Sequence, residues 1–461
     1  MNPVMAPYLD YRALNAIFDP LILLDDDSQE LTQDGVVESW ERVDETTWRF
    51  RVREGLAFHN GDALTAESVR FSILESRDNP SSIQRSFYDI VADAEVVDGE
   101  VEVTTSQPYA ALPALMSATA VLPEKYYQEV GAEGFATKPI GSGPYRFSSL
   151  SSGQSLTVSR NDDYWRGKPG FEGMVFTWNP DATARHNLLV SGDADFVYDL
   201  APQFLESVAK TNGYKVVTGE SGYRMLLFLD TNQGAFTDPA LREAVSMAID
   251  RDGVVNALFQ GEAVASNQFI GDLMNEPAEL PAEFDVAGAK AALQASGASP
   301  RIVLGHTIGK SAGDSQLGPA VAGMLKEAGF DVQLQGEEYG RFRELRDAGS
   351  FDAFLFETLP IFRHPDALAS YYVGSGAPVA MCPDAAEYDA MLTDALASST
   401  PEESDAGFAR IEKRAVEQDI CMVPLYRTVY SYGLTEDIRG FNRGPVDVVP
   451  DYFLMSWATD S

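Results

Sequence analysis

Residues 301 to 357 restrict the possible folds more than any other stretch of the chain. "RIVLGHT" reads as a strand and "LGPAVAGMLKEAG" as a helix ending at Gly329. "FDVQLQG" reads as a strand, "YGRFRELRDAG" as a helix and "FDAFLFET" as a strand. Strand, helix, strand, helix, strand requires crossover connections, so it implies parallel pairing with helices on the sheet faces. The N-terminal third has a different pattern. Trp48, Phe50 and Val52 alternate with Arg49, Arg51 and Arg53, the period of a half-buried strand. Asn60-Gly61-Asp62 marks a turn, and Thr65 is placed to cap a helix with Ala66, Val69 and Ile73 on one face. "AEVVDGEVEVTT" (94–105) predicts a hairpin about Asp98-Gly99. Two differently built regions therefore meet, near residue 225.

The join is legible. "YRMLLFLDT" (223–231) is a strand-like apolar run, followed by "DPALREAVSMAIDR". Asp238 suits an N-cap and Pro239 the first helical position. Leu241, Ala244, Val245, Ala248 and Ile249 fall on one helical face. A second strand-like run, "ICMVPLYRTVYSYGL" (420–434), lies near the C-terminus. If both runs pass between the regions, the chain crosses twice, the tail rejoins the first region and a cleft lies between two lobes.

With 461 residues the chain can bury a large core in two or three domains. A formal net charge of -36 argues against nucleic acid and against anionic lipid. It fits a solvated acidic surface, and it could also steer a cationic substrate. No stretch approaches the roughly 20 apolar residues that cross a bilayer. "MNPVMAPYLD" has neither a basic start nor an apolar core, so the protein is expected to be cytosolic or to be numbered after processing. Cys382 and Cys421 belong to no CxxC pair. A disulfide across the 38 residues between them and two buried thiols both remain open. His59, His186, His306 and His364 are scattered, with no metal-ligand spacing and no Ser/His/Asp arrangement.

"PIGSGPYRF" (139–147) could be a phosphate cradle or a turn. No Lys-Ser/Thr follows its second glycine, and Pro144 removes an N–H that a cradle would use. The adjoining "YRFSSL" alternates as a strand, so no helix N-terminus faces the loop. It is read as a turn that aims a strand. No GxSxG elbow occurs. Acid pairs such as Asp162-Asp163 and Glu337-Glu338 carry little information in a chain with 70 acids.

Five stretches, in order, resemble the bacterial extracellular solute-binding proteins of ABC importers, in the oligopeptide-, dipeptide- and nickel-binding class. They are "WRFRVREGLAFHNGDALTAESVRFSI", "KPIGSGPYRF", "RNDDYWRGKPGFEGMVF" (160–176), "LREAVSMAIDRDGVV" and "FDVAGAKAALQASG" (284–297). The resemblance implies an α/β, two-lobe periplasmic-binding-protein clamshell with an extra subdomain on the N-terminal lobe. Lobe I is expected to span 1–225 plus 430–461, with the subdomain inserted at about 41–135, and lobe II 226–429. It implies a periplasmic or extracytoplasmic place after removal of a signal peptide. Asn2-Pro3 open the chain where relatives have already made a first strand, so that strand is expected upstream.

The same resemblance points to site residues. Peptide-binding relatives hold the ligand amine with an aspartate four residues before a proline. Counting back from Pro365 in "ETLPIFRHPDAL" (357–368) puts Ile361 there, leaving Glu357 or Asp366 as substitutes. "AVEQDICMVP" has no histidine where nickel-binding relatives use one, although "LQGEE" (334–338) leans to that branch. Phe362, Arg363 and His364 remain, and an arginine facing the cleft can clamp a carboxylate or phosphate. Tyr8, Tyr11 and Arg12 match the early loop that contributes to the cleft in relatives, and Tyr223 and Arg224 sit at the first crossover. Trp40 and Trp48 are expected in the core. The expectation is a monomeric, non-enzymatic import receptor that needs no cofactor or metal. It would deliver a small solute, peptide-like or organic and anionic, to permease subunits. The competing readings are a secreted hydrolase using paired acids and a ligand sensor on the same scaffold.

Overall fold

The computed structural model describes residues 1–5, 11–25, 30–259, 263–275, 277, 279–280, 283–297, 300–308, 314–377, 379–398, 400–441 and 450–458. They divide into two compact units. One is Met1–Val217 with Ile361–Arg363 and Ser431–Ser461; the other is Thr218–Pro360 with His364–Tyr430.

In the first unit, the alternating run forms β2 (Thr47–Val52), paired antiparallel with β1 (Val37–Arg42). Trp48 and Phe50 are buried as their alternation predicts, while Trp40 is only partly buried. Helix α1 (Ala66–Asp78) starts at Thr65, which closes a capping box with Ser68, and it buries Ala66, Val69 and Ile73. The predicted hairpin is β3 (Val91–Val97) and β4 (Glu100–Thr105), turned by Asp98 and Gly99 at φ 52° and 88°. Both turn residues lie in the left-handed region that a tight two-residue hairpin needs. The sheet order is β1-β2-β4-β3, and α1 packs against β3 and β4.

A second sheet holds β5 (Tyr145–Ser151), β6 (Ser155–Arg160) and β7 (Gly173–Thr177), all antiparallel. The glycine loop feeds β5. A Cβ on Gly141 would collide with the Ile17 carbonyl, and one on Gly143 would lie 2.7 Å from the Ile17 carbonyl carbon. Only glycine permits this approach. Gly143 N–H donates to Ile17 O at 2.9 Å and Tyr145 N–H to Ala16 O at 2.8 Å. The Gly141 and Gly143 N–H and C=O groups are thus committed to Ile17, His59 and Asn161, with His59 Nε2 meeting Gly143 O at 2.9 Å. It is a turn that aims a strand. Ser142, from its centre, donates to Asp19 at 2.7 Å. Tyr164 and Trp165, from the "DYW" motif, donate to the same carboxylate at 2.7 and 3.3 Å. Asp19 is 3% exposed, and three side chains from two separate segments converge on its buried carboxyl group. β8 (Phe196–Tyr198) pairs antiparallel with residues 432–434.

The "YRMLLFL" run is the second half of a longer strand, β9 (Tyr214–Leu229). Helix α2 (Pro239–Ala248) follows, capped by Asp238, whose side chain accepts from Ala240 N–H. β10 (Ala263–Ala265) is short, and α3 (Val286–Ser296) precedes the predicted alternation. That alternation appears as β11 (Arg301–Thr307), α4 (Asp314–Ala328), β12 (Asp331–Glu337), α5 (Tyr339–Asp347) and β13 (Ala353–Thr358). β11 is parallel to both β12 and β13, whereas β9 joins β13 antiparallel. Helices α6 (Asp366–Tyr372), α7 (Ala385–Ala397) and α8 (Pro401–Lys413) lead through a π-helical turn, Arg414–Gln418, into β14 (Met422–Thr435). In this unit the sheet order is β14-β9-β13-β11-β12, with β10 on β14.

Both sheet faces are covered, as a parallel core requires. One face carries Met225, Leu227, Leu229, Ile302, Leu304 and Leu355 against Leu241, Val245, Ile249, Leu317 and Val321. The other is aromatic: Phe228 stacks on Phe354 with ring centres 5.0 Å apart, and Tyr372 lies 5.0 Å from Phe228. Cys382 and Cys421 form a disulfide, which settles the alternatives left by the sequence. No helix among the described residues is long and apolar enough to cross a membrane.

Candidate functional site

The carboxyl ends of β11, β12 and β13 lie at one sheet edge, because the strands run parallel with Thr307 beside Glu337 and Gly305 beside Phe354. In open α/β sheets that edge is where ligands bind. β9 runs the other way and sets Arg224 beside Thr358, so its residues 223 and 224 reach the same edge. Tyr223, Arg224 and Glu357 are therefore brought together by topology. Glu337, Tyr339 and Ile308 share this edge; the sequence shows Glu337 as one of many paired acids and does not single out Tyr339 and Ile308. The parallel order itself was the signal that could have found them.

The individual positions differ in what they can offer. Tyr223 is partly buried; its N–H donates to Ser221 Oγ at 3.2 Å and its carbonyl accepts from Thr428 Oγ1 at 3.4 Å. Arg224 is 1% exposed. Its Nη1 donates to Phe269 O at 2.8 Å, and its Nη2 lies 2.7 Å from both oxygens of Asp272. Burial pulls its pKa down and the Asp272 charge opposes this. Its guanidinium is engaged in the core, and the role it has in the structure is an internal ion pair. Glu357 is partly buried beside Met225.

After β13 the chain leaves the second unit for three residues. Phe362 is 4% exposed, with its ring edge-on to Phe87 at 5.3 Å in the first unit. Arg363, in the same unit, is partly buried. His364 returns to the second unit, where its ring stands edge-on to Phe408 at 5.4 Å. Its Nδ1 accepts the Asp366 N–H at 3.2 Å, which requires the unprotonated form of that nitrogen. Burial pushes its pKa down to about 4. Asp366 is 1% exposed at the start of α6 and takes the Ser370 hydroxyl, so its carboxylate faces inward.

Of the early loop, Tyr8 lies outside the described residues, and Tyr11 opens a short helix, Tyr11–Leu14. Arg12 pairs with Asp199, at 2.6 and 3.2 Å, and its guanidinium lies 4.9 Å from the Tyr198 ring centre. Asp199 holds a left-handed backbone, φ 50°, an arrangement that a sequence pattern does not disclose. Among the described residues no group of three or more His, Cys, Asp or Glu side chains is arranged to hold a metal.

The profile of the bacterial extracellular solute-binding proteins, family 5, matches residues 32–378. The chain belongs to this family, one of solute-binding proteins rather than enzymes. It is 26% identical to the nickel-binding protein NikA of Staphylococcus aureus over 229 residues, 50% of this chain and 45% of that protein. It is 26% identical to the glutathione-binding protein GsiB of Salmonella typhi over 266 residues, 55% of this chain and 51% of that protein. The matches thus span about half the length of these curated relatives. The crystal structure of a dipeptide binding protein from Pseudoalteromonas sp. SM9913, in complex with Met-Leu, superposes with a TM-score of 0.86 at 18% identity. It covers 99% of this chain and 97% of that one. That likeness bears out the expected α/β periplasmic-binding-protein fold.

Proposed function

We propose that the protein is the receptor of an ABC importer that captures a small anionic solute and delivers it to membrane permease subunits. Two lobes, 1–225 with 430–461 and 226–429, would close on the solute. The ligand need favour the closed state by only a few kcal/mol. The observation that carries the reading is the segment after β13. It runs from the carboxyl edge of the parallel strands and carries Arg363, a partly buried guanidinium in an acidic protein, next to Phe362, whose ring is buried against Phe87. The substitution of Ile361 for an amine-holding aspartate supports a ligand gripped by its acidic end. Glutathione, for which the relative GsiB is named, carries two carboxylates beside its one amine. The family's extracellular description and the Cys382–Cys421 disulfide support a periplasmic or other extracytoplasmic location.

The test is calorimetry on a panel of small carboxylates and phosphates, neutral sugars and cations, with Met-Leu as the free-amine peptide probe. Micromolar binding is expected within the anionic set. Arg363→Ala should weaken it roughly tenfold to a hundredfold, the loss expected for a charge-assisted hydrogen bond of about 1.5–3 kcal/mol. Arg363→Lys should recover little if the contact is bidentate. Micromolar binding of Met-Leu, or an alanine variant with unchanged affinity, would contradict the proposal.

A further inference from the structure

Arg224 on β9 and Arg427 on β14 stand on neighbouring strands and share one carboxylate. Asp272 takes both 2.7 Å contacts from Arg224 and lies 3.8 Å from Arg427 Nη1. β9 and β14 are also strands along which the chain passes from one unit to the other, after Val217 and after Tyr430. Asp272 sits in a single 3-10 turn, Gly271–Leu273, which is held from α8. Glu412 Oε1 accepts three consecutive backbone N–H groups, from Phe269 at 2.6 Å, Ile270 at 2.8 Å and Gly271 at 3.1 Å. Seven residues earlier on the same helix, Asp405 accepts Asn275 N–H at 2.8 Å. Glu412 is 0% exposed, and its Oε2 has no hydrogen-bond partner among the described residues.

We propose that Asp272 is a clasp on the two connecting strands and that the protonation state of Glu412 sets how firmly the clasp is held. The ionisable groups around this site are Arg224 on β9, Arg427 on β14, Asp272 in the turn, Asp405 on α8, Tyr372 on α6 and His364 against Phe408. His364 is held down to about 4, and burial holds Tyr372 well above its usual range, so neither changes charge between about pH 5 and pH 7.5. Burial pushes Glu412 up to about 6, against the pull of the three N–H groups and Arg224. The pattern leaves Oε2 as the oxygen that takes the proton, with Oε1 still accepting from the turn. When the turn opens, the carboxyl group meets water and its pKa falls back to the ordinary 4.5. The closed clasp therefore binds a proton more tightly than the open one. It is firmest below about 4.5 and loosens as pH rises through about 6.

Hydrogen exchange on the intact, solute-free protein, corrected for intrinsic rates, tests this at about pH 5 and about pH 7.5. Opening of residues 269–275 and of the adjoining parts of β9 and β14 should be about tenfold more frequent at the higher pH. Glu412→Gln keeps the accepting oxygen without a charge and should remove the pH difference. Asp272→Asn should raise opening of both strands at both pH values. If Glu412→Gln does not fold, Arg427→Gln substitutes for it and should raise opening of β14 while keeping the pH difference. The proposal is overturned if wild type shows no pH difference in this turn, if Glu412→Gln retains it, or if strand opening ignores Asp272 and Arg427. No solute enters the measurement, so its outcome is separate from that of the receptor proposal.

Discussion

Asp19 shows how much one buried group can organise. Its carboxyl receives Ser142, Tyr164 and Trp165, and burial raises its pKa against those hydrogen bonds. Asp19→Ala leaves two hydroxyls and an indole N–H without this acceptor. Leaving a buried donor unsatisfied costs about 1–3 kcal/mol, so a loss of about 2–4 kcal/mol is expected in urea unfolding. Asp19→Asn keeps an acceptor and the shape and should lose less. An alanine variant as stable as wild type would remove Asp19 from this role. Arg224 shows where the sequence misleads at this scale. A charge in an apolar strand signals that a partner exists, but not which one. The partner, Asp272, lies 48 residues further on, so a residue expected at the crossover as a ligand contact is engaged in an internal ion pair. The glycine loop is the opposite case. Its lack of a P-loop lysine and the presence of Pro144 were enough to reject a phosphate site.

At the scale of elements, apolar periodicity located the strand and helix alternation of 301–357, α1 with its Thr65 cap and the Asp98-Gly99 hairpin. It underestimated β9, because the stretch 214–222 contains polar residues and two glycines and does not carry a strand pattern of its own. It could not show that β9 meets β13 antiparallel, since strand direction depends on partners far away in the chain. The corner before β14 was equally hidden. There the disulfide joins Cys421 to Cys382, Leu229 N–H donates to Cys421 O at 2.9 Å and Thr231 Oγ1 to Met381 O at 2.6 Å. Ile420, just before it, holds φ 45°, a left-handed conformation uncommon for a β-branched residue. Converting both cysteines to alanine should lower unfolding free energy by about 2–4 kcal/mol through the freed loop. The check is chemical denaturation of wild type and the double variant under non-reducing conditions. Equal midpoints would show that the bond adds nothing beyond the surrounding hydrogen bonds.

For the whole molecule, the family and its α/β class were legible from five short motifs and one strand and helix alternation. The solute was not, because recognition depends on where a few side chains point, and the sequence order of Phe362, Arg363 and His364 does not say. The net charge of -36 excludes partners more securely than it selects one. As a proposed receptor, this chain would bind a small anionic solute and release it chemically unchanged. Native mass spectrometry of freshly purified protein tests it most directly. One bound small molecule per chain is expected, recovered intact on denaturation and bearing a carboxylate or phosphate. A bound species that is neutral or cationic, or one that the protein converts to a product during incubation, would contradict it.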